Sequence, residues 1–103
     1  MDTINIEPEP LDIHIKIQQR KGRSFITTVE GLQHIAIPEN KTIDQVLDIL
    51  LTKFKKQFNC GASISKEDGL YIFKLSGDKR NDVKDFLLKN NLAELNQIKI
   101  HGF

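Results

Sequence analysis

The sequence predicts an α+β fold: a two-layer sandwich in which two helices cover one face of a largely antiparallel five-stranded sheet, in the order β-β-α-β-β-α-β. Three observations lead there. Apolar and polar residues alternate strictly from Ile13, and an apolar stripe at helical spacing runs from Ile43 to Phe54 behind a capping sequence. Downstream, a second hairpin signal is followed by a second helical stripe.

Residues 1–10, "MDTINIEPEP", hold Pro8 and Pro10 spaced by glutamates and show no period, which reads as a flexible acidic tail. A single domain is expected over residues 11–103, since a chain of this length has room for one modest core. Ile13, Ile15 and Ile17 alternate with His14, Lys16 and Gln18, the signature of a half-buried strand. The run "SFITTVEGL" is rich in β-branched and aromatic residues and reads as its hairpin partner. Between them "QRKGR" supplies Gly22, which is free to take a positive φ. Thr42 is a good helix N-cap, and Gln45 completes a capping box. Ile43, Val46, Leu47, Leu50 and Phe54 form the stripe that follows. Lys53, Lys55 and Lys56 are expected in its last turn, where cations suit the helix dipole. Two more strands are expected at 62–65 and 70–75 around an Asp68-Gly69 turn. Gly77 then breaks the strand and Asp78 is expected to cap a second helix, whose core stripe is Val83, Phe86 and Leu87. Asn90-Asn91 suits a left-handed stop, and Ile98 and Ile100 alternate around Lys99 in a last short strand.

Several function classes lose support. One cysteine, Cys60, provides neither a disulfide framework nor a multi-thiolate metal site, and it reads as a small buried hydrophobe. His14, His34 and His101 are scattered, none at ligand spacing from another His or Cys, so they read as surface histidines and no metal or cofactor is expected. "SGDKR" has one glycine and is no phosphate-cradling loop. No nucleophile–base pair or carboxylate pair stands out, so a non-enzymatic protein is expected. No apolar run approaches the ~20 residues of a membrane span. The acidic start lacks the cationic and apolar regions of a secretory signal, so a cytoplasmic protein without membrane contact is expected.

Charge is more informative. The formal net charge is only +1, yet all 15 basic residues fall after residue 15, while Asp2, Glu7, Glu9 and Asp12 lie before it. Lys16, Arg20, Lys21 and Arg23 gather on one hairpin; Lys53, Lys55 and Lys56 end the first helix; Lys79, Arg80 and Lys84 open the second. The helix dipole already accounts for lysines at a helix end. The hairpin loop is different: Arg20, Lys21 and Arg23 repel one another around Gly22, and no acidic residue lies between Gln18 and Val29. A polyanion turns that repulsion into affinity by releasing counterions, and guanidinium groups grip phosphate oxygens bidentately. With no Trp, one Tyr and six Phe, mostly at core positions, the chain suits the backbone of a structured RNA better than stacked single-stranded bases.

Four stretches together, "IHIKIQQRKGRSFITTVEGL", "LLTKFKKQFNC", "FKLSGDKRNDVKDFLL" and "IKIHGF", resemble the eukaryotic translation initiation factor one family over residues 11–103. The resemblance implies a monomeric, non-enzymatic factor that binds the small ribosomal subunit near the P site, promotes scanning and opposes initiation at non-cognate codons. Implied partners are small-subunit ribosomal RNA, the preinitiation complex with initiator tRNA, and initiation factors one-A, two, three and five. Carried over by position, RNA contacts fall on Arg20, Lys21, Gly22 and Arg23, with a second set at Lys53, Lys55 and Lys56. The family's "GD.R" element falls on Gly77, Asp78 and Arg80, with Asp78 tied to codon stringency. Lys21 and Ser24 stand where the family loop has Asn and Lys, so the number of cations is kept while their positions shift. The "SKEDG" loop is short for the family, whose loop there approaches the initiator tRNA. A second reading from another class is a regulatory module that binds other initiation factors without discriminating codons.

Overall fold

A computed structural model describes residues 12–35 and 37–102; the tail expected at 1–10 lies outside them. Alternation makes β1 (Ile13–Gln19) two-faced: Ile13, Ile15 and Ile17 are buried, while His14 and Lys16 are half-buried on the opposite side. It pairs antiparallel with β2 (Phe25–Glu30), from His14 opposite Glu30 to Gln19 opposite Phe25. At the tip, Arg20 N–H donates to Ser24 O (2.7 Å) and the Gln19 side chain donates to Gly22 O (3.0 Å). At the other end of β2 the chain passes so close to β1 that a Cβ on Gly31 would sit 2.3 Å from Asp12 O, at a φ of +99°. Only glycine fits there.

A 3-10 turn (Leu32–His34) carries Leu32 into the core. Helix α1 (Ile43–Gln57) begins with the expected box: Thr42 Oγ1 accepts from Gln45 N–H, and Gln45 Oε1 accepts from Thr42 N–H. The second hairpin, β3 (Ala62–Glu67) and β4 (Leu70–Ser76), is longer than expected. Asp68 (φ 51°) and Gly69 (φ 80°) both take left-handed conformations, so the strands stay paired up to Glu67 opposite Leu70. Helix α2 (Arg80–Lys89) ends at a left-handed Asn91 (φ 56°), as expected. A second 3-10 turn (Leu95–Gln97) leads into β5 (Ile98–Ile100).

The sheet order is β3-β4-β2-β1-β5, with β5 parallel to β1 and every other pairing antiparallel. The predicted α+β class and five-strand, two-helix composition hold. Both helices bury their stripes against the sheet: Leu47, Leu50 and Phe54 from α1, and Val83, Phe86 and Leu87 from α2, meet Ile13, Ile15, Val29, Phe73 and Leu75.

Two local expectations are corrected. Lys79, not Asp78, holds the N-cap position of α2 and supplies no side-chain cap; Asp78 Oδ1 instead accepts from Arg80 N–H (3.4 Å), the first amide of the helix, and from the Arg80 guanidinium. Lys53 is not in the last turn of α1, where the basic residues are Lys55 and Lys56. It lies a turn earlier, because α1 runs on to Gln57.

Candidate nucleic-acid interface

Strand register decides which charges meet. Ile26, just past the tip of the first hairpin, is paired with Ser76 at the end of β4. Leu75 is in turn paired with Ala62, which follows shortly after the end of α1. Parallel pairing makes β5 run toward the same end, where His101 N–H donates to Ile15 O (2.8 Å). The hairpin tip, the last turn of α1, residues 77–80 and His101 therefore share one end of the domain. The Asp68–Gly69 turn lies at the other end, beside the first turn of α1, where Tyr71 Oη donates to Asp44 Oδ1 (2.9 Å).

Arg20, Lys21 and Arg23 are exposed at the tip and have no acidic partner among the described residues. Arg20, Arg23 and Ser24 line a shallow depression shared with Ser76 and Gly77, so the basic loop meets the first residue of the "GD.R" element there. Arg20 also borders a second depression with Ser63 and Lys74. Long exposed cations around a concavity suit phosphate oxygens. Lys55 and Lys56 are exposed at this same end. Lys53, one turn before Lys56, lines a groove between the helices with Ile49, Phe86 and Leu92. Lys16 is occupied on the sheet's open face, its Nζ 3.3 Å from Glu30.

The "GD.R" element is fixed by bonds from distant strands. Gly77 N–H donates to Phe25 O (2.8 Å), and the buried Thr27 hydroxyl both donates to Gly77 O (2.7 Å) and accepts from Lys79 N–H (2.8 Å). Arg80 grips Asp78 as a fork, Nε to Oδ1 and Nη2 to Oδ2, each 2.9 Å. Its Nη1 donates to His101 O (3.2 Å), tying the element to the exit of β5. The His101 ring in turn meets His14, Nε2 to Nδ1 at 3.0 Å. Thr27, His14 and His101 are the site residues that the sequence reading missed. Only Thr27 carried a signal, as a hydroxyl on the apolar face of a strand at period two from Val29.

The Arg80 fork holds the Asp78 carboxyl below its ordinary value of 3.8, and Asp78 holds the Arg80 guanidinium above its own. A depressed carboxyl stabilises the fold above the ordinary range, and that contribution is lost as the pH falls through the folded value. NMR titration is expected to place the Asp78 midpoint below 3.8, and Arg80→Gln to raise it. An unmoved midpoint in the variant would contradict the fork.

Cys60 is half-buried, and burial pushes its thiol up, away from the reactive thiolate. His34 is exposed. Among the described residues no three His, Cys, Asp or Glu gather to hold a metal ion, and no helix is long and apolar enough to cross a membrane.

Comparison with known proteins adds an independent line. The family model described as "Translation initiation factor SUI1" matches residues 9–93. The chain is 40% identical over 104 residues to "Protein translation factor sui1" of Schizosaccharomyces pombe, covering 99% of this chain and 87% of that protein. It is 39% identical over 92 residues to "Eukaryotic translation initiation factor eIF-1" of Saccharomyces cerevisiae, covering 88% and 77%. Against "Protein translation factor SUI1 homolog 2" of Arabidopsis thaliana the identity is 35%, covering 88% and 74%.

Proposed function

The chain belongs to the translation initiation factor SUI1 family, and from that premise we propose that its basic end seats it on the small ribosomal subunit near the P site. It is a translation initiation factor, and start-codon fidelity is the work of its family. In the proposed arrangement Arg20, Lys21 and Arg23, with Gly22 shaping the turn, contact ribosomal RNA phosphates, and Lys55 and Lys56 add a second set. Lys53, exposed one turn before Lys56 and also lining the helix groove, belongs to that proposed set. Asp78, held by Arg80 beside Gly77, supplies the element that opposes pairing at non-cognate codons. The factor works by binding and release in the cytoplasm, in the preinitiation complex with initiator tRNA.

One observation supports this reading above the others. Arg20 and Arg23, without an acidic partner among the described residues, border one depression with Gly77, the neighbour of Asp78, although the two parts lie more than fifty residues apart in the chain. The test is initiation on purified small subunits, where adding the chain should lower the signal from near-cognate codons. Binding without any such effect would favour the second reading, a module that holds other factors. The groove between the helices favours that module, because Ile49 is 41% exposed there beside the apolar side chains of Val46, Leu50 and Leu92. Factors one-A, two, three and five are the proposed protein partners under either reading.

A further inference from the structure

The proposed function asks two features to act together, the RNA-contacting tip and the Asp78 element, and one side chain joins them. We propose that Thr27 is the positioning residue that sets Asp78 relative to the basic tip, and so sets codon stringency. This rests on the reading of Asp78 given above.

Thr27 is wholly buried in β2, paired with Ile17 on one side and Leu75 on the other, so its backbone has no freedom to follow a moving loop. Its hydroxyl offers one donor and takes one here as acceptor: Gly77 O at 2.7 Å receives the proton, and Lys79 N–H at 2.8 Å gives one. These bonds bracket Asp78 from both neighbours. At the start of α2 the hydroxyl satisfies Lys79 N–H from 52 residues upstream, while Asp78 Oδ1 accepts from the next amide, Arg80 N–H (3.4 Å). Phe25 accepts from Gly77 N–H and pairs with Gln19, the last β1 residue before the tip. A load on the tip is thereby transmitted through β2 to both residues flanking Asp78. The Arg80 fork then fixes which way the carboxylate faces.

Valine matches threonine in shape but lacks the hydroxyl, so Thr27→Val strands a part-buried C=O and a part-buried N–H, while Thr27→Ser keeps both bonds. In Thr27→Val, amide exchange at Lys79 is expected to quicken by about tenfold, the equivalent of one lost hydrogen bond. Initiation at near-cognate codons should rise severalfold, with small-subunit affinity changing less than discrimination. Thr27→Ser should restore both. Unchanged Lys79 exchange in Thr27→Val would overturn the positioning role, whatever becomes of the codon readout. Intact discrimination in Thr27→Val, alongside its loss in Asp78→Ala, would overturn the link to stringency. Intact discrimination in Asp78→Ala would instead remove the reading of Asp78 itself. Should Thr27→Val fail to fold, the wild-type hydroxyl decides: a slowly exchanging Thr27 hydroxyl proton supports the proposal, and a freely exchanging one sinks it.

Discussion

Replacing Arg20 and Arg23 together with alanine is expected to weaken binding to the small ribosomal subunit by tenfold or more per lost contact, about 100-fold at low salt. Both side chains are exposed at the hairpin tip with no acidic partner among the described residues, so the domain loses nothing that holds it together. The tip itself is shaped by Gln19, Gly22 and the main chain of Arg20 and Ser24, all of which the variant keeps. Each lost phosphate contact also releases fewer counterions, so the slope of log affinity against log salt should flatten by about 0.7 to 0.9 per arginine. Lys21→Ala should cost less, since an ammonium is a point charge where a guanidinium makes a two-pronged contact. Unchanged affinity and slope in the double variant, measured by fluorescence titration across salt, would remove the hairpin from the interface.

The largest expected loss of stability comes from Phe54→Ala. Phe54 is wholly buried, and its ring meets Phe58 at 5.3 Å, Phe73 at 5.6 Å and Phe86 at 5.2 Å between centroids. It is thus the point where α1, α2 and β4 close on one another. Deleting such a ring removes its burial and leaves a cavity, a cost of about 3–5 kcal/mol. Small domains have about 5–15 kcal/mol in total, so the variant is expected to be marginal. Urea unfolding should show the midpoint falling sharply with little change in slope. A drop below about 1 kcal/mol would mean that the aromatic cluster repacks and that the interlayer contact is looser than the ring geometry indicates.

Local signals were legible in the sequence, and long-range ones were not. The isoleucine alternation, the Thr42–Gln45 capping box, the Asp68-Gly69 turn and the Asn91 stop each depend on residues within a few positions, and each appears where the pattern puts it. The tip cations were legible for the same reason, since their excess of charge is visible in four consecutive residues. The start of α2 was not. Asp78 has the chemistry of a cap and accepts from Arg80 N–H, but the helix starts one residue later than expected, the Arg80 guanidinium shares the carboxylate, and Thr27 satisfies Lys79 N–H from another strand. Parallel pairing of β5 with β1 was equally hidden, and with it the meeting of His14 and His101 across 87 positions. The pattern puts Lys53 in the last turn because no local signal marks how far α1 runs, and the helix continues to Gln57.

Initiation on reconstituted small subunits, scored at AUG and at a near-cognate codon with and without the chain, bears most directly on the proposed role. Adding the protein is expected to suppress near-cognate initiation while sparing AUG, and Asp78→Ala is expected to lose the suppression while still binding. Equal use of both codons with the wild-type chain bound to the subunit would contradict a fidelity role for this protein.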